Sequence, residues 1–200
     1  MTRVDFMRHG ETGAGDALLG RTDPALSAAG REIVLRQFSG RRWPVIVASP
    51  LQRARETAEL AARASGASIE IDPAWREIDF GEWDGLSRRD LAADARLAAF
   101  YADAEANPPP NGETMEQVRT RIAHALERLA MHTVDPVLVV AHGGSLRVAL
   151  AVLLGLPLDR LWAIRIDYAT RIGVEMGSDP EHGLWGEIIE IAQPGGGEGS

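Results

Sequence analysis

Short apolar runs alternate with helical segments along this chain, and this alternation limits the folds open to it more than any other feature. The runs 45–48 and 137–141 have the length and composition of buried parallel strands. The segments 27–40 and 51–64 have helical composition. Strands that alternate with helices form a mainly parallel sheet with helices on both faces. The sequence therefore predicts an α/β fold, a three-layer sandwich with one central sheet.

The same patterns predict the remaining elements. Further strands are expected at 4–7, 68–71, 162–166, 172–176 and 184–191. Further helices are expected at 87–106, 114–132 and 145–154. Ser49 and Pro50 suit the N-cap and first position of the helix 51–64. We expect residues 1–192 to form a single domain and the glycine-rich residues 193–200 to be a disordered tail.

Composition argues against several classes of function. The formal net charge of −8 argues against broad binding to nucleic acid or anionic membranes. The chain has no cysteine and no closely spaced histidine pair, so we expect no metal site and no cofactor. No apolar segment approaches the ~20 residues needed to cross a bilayer. The expectation is a soluble cytoplasmic protein.

Residues suited to phosphate chemistry follow several predicted strands. Arg8 and His9 end the first strand, Arg53 lies in the first turn of a helix, Glu77 lies in an acidic loop and His142 ends a later strand. The carboxyl ends of parallel strands converge at one edge of a sheet, so these side chains can share one crevice. A neutral imidazole can attack phosphorus, and arginine holds phosphate oxygens in a planar fork.

Each of these residues also has a purely structural explanation. His9 can be a surface histidine, Arg53 a solvated helix residue and His142 a cap of the following glycine turn. The residues alone do not separate Glu77 from the other carboxylates of its loop, which are Asp79, Glu82 and Asp84. A single short motif has a high false-positive rate, so the ordered combination is the stronger signal.

Four segments form an ordered set over residues 4 to about 154. They are Arg8-His9-Gly10-Glu11-Thr12, Ser49-Pro50-Leu51-Gln52-Arg53-Ala54 with Thr57-Ala58, the loop from Arg76 to Gly85, and Ala141-His142-Gly143-Gly144. In this order they resemble the histidine phosphatase superfamily, which has the phosphoglycerate mutase-like fold. The resemblance implies that His9 is the nucleophile that becomes phosphorylated and that Glu77 is the proton donor. The phosphoryl group and substrate would be bound by Arg8, Arg53, His142 and Gly143.

The predicted function is therefore metal-independent hydrolysis of a small-molecule phosphate ester through phospho-His9. The turn 20–24 and the loop 76–85 resemble those of the α-ribazole phosphatases, which implies α-ribazole 5'-phosphate as a candidate substrate. One position departs from the family, because Gly15 stands where an asparagine often contributes to phosphate binding. We expect the segment 87–112 to cover the pocket.

Two alternatives to hydrolysis remain. Phosphoryl transfer of the phosphoglycerate mutase type is the nearest, although such mutases usually carry insertions for which 200 residues leave little room. A non-catalytic phosphate-binding regulatory protein is the other, and the presence of both His9 and Glu77 argues against it. The oligomeric state is left open, with a homodimer as one candidate.

Overall fold

One six-stranded sheet forms the centre of the molecule. The computed structural model describes residues 1–181 and 183–194. The strands are β1 (Thr2–Arg8), β2 (Val45–Ala48), β3 (Ser68–Ile71), β4 (Val137–Ala141), β5 (Arg171–Asp179) and β6 (Gly183–Ala192). Across the sheet they lie in the order β3-β2-β4-β1-β5-β6. The first four of these run parallel, whereas β5 and β6 are antiparallel. The predicted mainly parallel α/β sheet is confirmed.

Helices cover both faces of this sheet. They are α1 (Ala28–Gln37), α2 (Gln52–Ser65), α3 (Ala95–Ala102), α4 (Met115–Ala130) and α5 (Gly143–Leu154). Along β4, Val137 and Val139 join the core that contains α4 and α5, whereas Leu138 and Val140 join the core that contains α1 and α2. Alternate side chains of a strand point to opposite faces, so β4 is buried on both sides. The molecule is a three-layer sandwich.

Two predicted helix starts have different outcomes. Ser27 caps α1 as expected, since its side chain accepts the Gly30 N–H at 2.9 Å. The predicted cap of α2 is wrong, because Leu51 occupies the N-cap position and the helix begins at Gln52. Ser49 instead points its hydroxyl towards a buried histidine.

The predicted helix over 87–106 is much shorter in the structure. Asp94 accepts the Arg96 N–H at 2.9 Å and caps α3, so the helix starts at Ala95 and ends at Ala102. Residues before this cap form turns, and Ser87 makes a bridge to Ala17. Helical composition did not show this interruption, which depends on the contact with the loop that follows β1.

The predicted strand over 162–166 is also wrong. Residues Leu158–Ala163 form a 3₁₀ helix, in which Leu158 and Leu161 are both buried. Side chains three residues apart lie on one face of such a helix, and this spacing buries an apolar segment as a strand would. The predicted turn at 177–180 lies too early, because β5 continues to Asp179.

No helix in the described part of the chain is long and apolar enough to span a membrane. Of the predicted tail, Gln193 donates its side-chain amide to the Arg165 carbonyl at 3.2 Å, and residues 195–200 lie outside the described residues.

Candidate active site

The carboxyl ends of three neighbouring strands, β2, β4 and β1, lie together at one end of the sheet. Arg8, the last residue of β1, is in register with Ala141, the last residue of β4. His9 follows Arg8, His142 follows Ala141, and Ser49 follows the end of β2 on the other side of β4. Parallel strands bring these residues together although they are far apart in sequence. The expected convergence at one sheet edge is present.

The His9 imidazole is held as a neutral ring. Its Nδ1 lies 2.7 Å from the Gly10 carbonyl oxygen, which only accepts, so Nδ1 carries the proton and Nε2 carries the lone pair. Burial lowers the pKa of His9 well below its ordinary value, and the positive charges of Arg8 and Arg53 lower it further. An unprotonated Nε2 is the form that attacks phosphorus.

His142 is a second buried imidazole beside the first. The ring centroids of His9 and His142 are 5.0 Å apart. Nε2 of His142 lies 2.8 Å from Ser49 Oγ, while its Nδ1 has no hydrogen-bond partner within the described residues. Burial lowers the pKa of His142, with further contributions from Arg53, His9 and Arg8.

The Arg8 guanidinium is fixed at the edge of the sheet. It donates from Nη1 to the Ile166 carbonyl at 2.8 Å and lies 3.8 Å from the centroid of the Tyr168 ring, a cation–π contact. Its buried Nε has no hydrogen-bond partner within the described residues. Burial lowers the pKa of Arg8, but a guanidinium stays charged at neutral pH. Arg8 therefore retains a desolvated N–H group for an anion.

Arg53 is fully buried, although the next arginine on its helix, Arg55, is exposed. Its Nη2 donates to the Leu19 carbonyl at 2.7 Å and its Nη1 to the Thr22 carbonyl at 3.0 Å. Nη1 also lies 3.2 Å from the Asp23 carboxylate. The Nε of Arg53 has no partner within the described residues. The turn after β1 therefore fixes this guanidinium.

Asp84 holds that turn in place. Its carboxylate accepts the backbone N–H groups of Gly20, Arg21 and Thr22 at 2.7, 2.8 and 2.9 Å. The same turn presents its carbonyl groups to Arg53. Asp84 is thus connected to Arg53 through the backbone of the turn.

Glu77 lies against the N-terminus of α5. Its Oε2 accepts the Gly144 N–H at 3.0 Å, and its Oε1 accepts the Ser145 and Ile78 N–H groups at 3.0 Å. A Cβ atom on Gly144 would collide with Oε1 of Glu77, so glycine is required for this approach. Backbone donors therefore orient the carboxyl group.

The structure separates Glu77 from the other acids of its loop. Asp79 lies 3.3 Å from Arg21, Glu82 lies 3.6 Å from Arg96, and Asp84 caps the turn described above. A cavity lies beside the carboxyl ends of the strands. Glu77 lines this cavity, whereas the other three acidic side chains of the loop do not.

This cavity has a volume of about 260 Å³. Of the residues proposed from the sequence, its lining contains Arg8, His9, Glu77 and Gly143. Arg53 and His142 are fully buried and do not line it. Sequence reasoning missed several further lining side chains, namely Arg88, Tyr101, Arg147, Trp162 and Tyr168. For Arg147 a signal existed, since it lies one helical turn beyond Gly143 on α5.

Gly15 has a φ angle of 61°, in the left-handed region, and no other part of the described chain lies within 4 Å of a Cβ built there. Asparagine tolerates this conformation better than most residues. The position therefore has the backbone conformation and the space for either residue.

Among the described residues, no group of three or more His, Cys, Asp or Glu side chains is arranged to hold a metal ion.

The chain resembles known proteins over most of its length. Residues 4–182 match the model of the histidine phosphatase superfamily (branch 1). A glucosyl-3-phosphoglycerate phosphatase from Mycolicibacterium vanbaalenii is 34% identical over 178 residues, which cover 81% of this chain and 78% of that protein. The adenosylcobalamin/alpha-ribazole phosphatase of Escherichia coli is 31% identical over 173 residues, which cover 82% of this chain and 85% of that one.

A solved structure also resembles this chain in its fold. The native structure of a mycobacterial glucosyl-3-phosphoglycerate phosphatase superposes with a TM-score of 0.84 at 27% identity and covers 94% of this chain and 97% of that chain.

Proposed function

We propose that this chain, which belongs to the histidine phosphatase superfamily and is a phosphoric monoester hydrolase, works through a phosphohistidine at His9. The substrate is a small-molecule phosphate ester, and no metal ion takes part. The observation that carries the proposal is the hydrogen bond from Nδ1 of His9 to Gly10, which leaves a neutral Nε2 in a cavity beside Arg8.

In the first half-reaction the lone pair on Nε2 of His9 attacks phosphorus and the bond from phosphorus to the ester oxygen breaks. The leaving oxygen takes a proton from Glu77. Charge develops on the equatorial phosphoryl oxygens, and preorganised donors in a poorly solvated site stabilise it. The unpartnered Nε–H groups of Arg8 and Arg53 support this role, as does the buried imidazole of His142.

In the second half-reaction the Glu77 carboxylate takes a proton from water as the water oxygen attacks phosphorus. The bond between phosphorus and Nε2 breaks, and the neutral imidazole is restored. One carboxyl group thus serves as acid and then as base. Its three backbone hydrogen bonds support the position of this carboxyl group at the cavity.

Two kinds of substrate are suggested by the relatives. The Escherichia coli relative is named for α-ribazole, which agrees with the resemblance of the turn 20–24. The Mycolicibacterium relative is named for glucosyl-3-phosphoglycerate. We therefore propose α-ribazole 5'-phosphate and esters of the phosphoglycerate type as the candidate substrates.

The test is turnover of a panel of phosphomonoesters in the presence of EDTA. The panel contains α-ribazole 5'-phosphate, 3-phosphoglycerate and p-nitrophenyl phosphate. We expect phosphate release that survives chelation, is abolished in His9→Ala and is retained in His124→Ala, a control at an exposed histidine. Conversion of 3-phosphoglycerate to 2-phosphoglycerate without phosphate release would favour the mutase alternative. Binding of esters without any turnover would favour the non-catalytic one.

A further inference from the structure

Two arginines line the cavity without a role in the proposed phosphoryl transfer. Arg88 and Arg147 both face it, yet within residues 1–181 and 183–194 neither lies within 4.0 Å of a carboxylate. The chain contains 29 acidic residues and 21 basic ones, so carboxylates are not scarce. A cavity bordered by unpaired guanidinium groups is suited to an anion.

Hydrogen bonds hold both guanidinium groups in place. Arg88 donates from Nε to the Tyr101 hydroxyl at 2.9 Å and from Nη1 to the Asp16 carbonyl at 3.1 Å. Arg147 donates from Nε to the Ile164 carbonyl and from Nη1 to the Gly143 carbonyl, both at 3.0 Å. In both arginines Nη2 has no hydrogen-bond partner within the described part of the chain.

Aromatic rings that also line the cavity connect the two arginines. The Arg147 guanidinium lies 5.3 Å from the centroid of the Trp162 ring, and that ring lies 5.0 Å from the Tyr101 ring. Tyr101 in turn accepts the hydrogen bond from Arg88. The four side chains form a continuous outer wall, made by α3, α5 and the 3₁₀ helix that follows it, together with the segment before α3.

This outer wall adjoins the predicted phosphate site. A Cβ atom built on Gly143 would lie 3.1 Å from Nη1 of Arg147 and 3.5 Å from Nε of Arg8. The guanidinium groups of Arg8 and Arg147 therefore flank the same short stretch of backbone. A small molecule whose phosphate contacts Arg8 can reach Arg147 with an adjacent group.

The charge of the site exceeds what a phosphate requires. Among the described lining residues Glu77 is the single carboxylate. Arg8, Arg88 and Arg147 bring three positive charges to the cavity, whereas Arg53 is already paired with Asp23. A phosphomonoester dianion balances two of these three charges, and one remains. The remaining positive charge beside a bound phosphate favours a substrate with one further negative group.

We propose that Arg88 and Arg147 bind a carboxylate on the substrate and that the enzyme prefers phosphorylated short hydroxy acids. This inference rests on the proposed function, since it assumes that the phosphate lies at His9. The planar fork of arginine matches a carboxylate, and a cavity of about 260 Å³ suits a short acid. Esters without a second anion, α-ribazole 5'-phosphate among them, leave one of the lining charges unbalanced.

The test compares 3-phosphoglycerate with glycerol 3-phosphate, which differ by a carboxylate against a hydroxymethyl group. We expect kcat/KM of the wild-type enzyme to be about 10-fold higher or more for the acid, because hydrogen bonds to charged groups contribute strongly. Arg147→Gln is expected to lower this ratio by about 10-fold. Arg88→Gln acts at an exposed side chain, so a drop of about 3-fold is expected. Arg89→Gln, at a neighbouring exposed arginine, is the matched control and keeps the ratio.

A wild-type ratio near one, or a preference for α-ribazole 5'-phosphate over the acid, would overturn the carboxylate site. Variants that reduce turnover of both esters equally would do the same. Calorimetry on His9→Ala separates this proposal from the proposed function. If the wild type is inactive while His9→Ala binds 3-phosphoglycerate about 10-fold more tightly than glycerol 3-phosphate, the carboxylate site stands and the hydrolytic mechanism fails. Equal binding of the two ligands overturns the carboxylate site.

Discussion

Ser49 Oγ lies 2.8 Å from Nε2 of His142, and both side chains are fully buried. This hydrogen bond fixes the orientation of the imidazole next to His9. Ser49 was expected to cap α2, but the strand end places it beside the proposed phosphate site.

Replacing Ser49 by alanine should weaken both stability and catalysis. The substitution leaves a buried imidazole nitrogen without its partner, which costs about 1–3 kcal/mol of unfolding free energy. We expect kcat/KM to fall by about 10-fold, since the freed ring no longer has one orientation. Urea unfolding and steady-state kinetics provide the measurements. Ser65→Ala is the control, because the Ser65 hydroxyl is buried without a partner among the described residues. Equal behaviour of the two variants would remove the role given to Ser49.

Asp84→Ala tests whether the turn after β1 positions Arg53. Loss of three backbone hydrogen bonds should loosen the carbonyl groups that hold Arg53 and lower kcat/KM by about 10-fold or more. Glu82→Ala, in the same loop but at an exposed ion pair, should change kcat/KM less than about 2-fold.

The contribution of Asp84 is identified by a double-mutant cycle with Arg53→Lys. If Asp84 acts through Arg53, its removal should cost much less in the Arg53→Lys variant than in the wild type. Fully additive losses would show that Asp84 supports the site by another route.

Sequence patterns predicted the helix and sheet layers of this fold, because the signals for its strands and helices are local in the sequence. The continuous apolar runs of β2 and β4 form strands where expected. Gly66, with its φ of 72°, ends α2 where expected. The lengths of α3 and of the segment 158–163 were not predictable in the same way. Asp94 caps α3 and so shortens this helix. The burial of Leu158 and Leu161 determines the 3₁₀ conformation of residues 158–163.

For the site, the sequence identified residues next to strand ends and missed those that reach the cavity from elsewhere. His9 and His142 lie directly after β1 and β4, so topology alone brings them together. Arg88 and Tyr101 reach the cavity through tertiary contacts of the segment around α3. No spacing in the sequence records those contacts. The roles of the predicted residues stay predictions until they are tested.

Burial gives the stability a defined pH dependence. The pKa of His9 in the folded protein is lowered well below the ordinary value of about 6.5 by burial, Arg8 and Arg53. The unfolded chain therefore binds a proton that the folded chain does not, and the free energy of unfolding falls as pH is lowered through about 6.5. Urea unfolding at pH 7.5 and pH 5.5 (roughly one unit either side of that value) measures this loss. His9→Gln should reduce the difference, and an unchanged difference would contradict the assigned shift.

Glu77→Gln should separate substrates by their leaving group. An alkoxide needs a proton to leave, whereas p-nitrophenolate leaves without one. General acid catalysis typically contributes about 10²–10⁴-fold, so we expect a loss of that order in the rate of ester cleavage for glycerol 3-phosphate. Cleavage of p-nitrophenyl phosphate should fall far less in a single-turnover measurement. Equal losses for both esters would indicate that Glu77 only maintains the structure of the site.

The central claim is that His9 carries the phosphoryl group, and trapping the intermediate tests it most directly. The enzyme is mixed with p-nitrophenyl phosphate, quenched in alkali, in which phosphohistidine survives, and digested for mass spectrometry. We expect phosphate on the peptide that contains His9 and none in His9→Ala. Phosphate on His142, or rapid turnover with no phosphorylated peptide at any time, would contradict the claim.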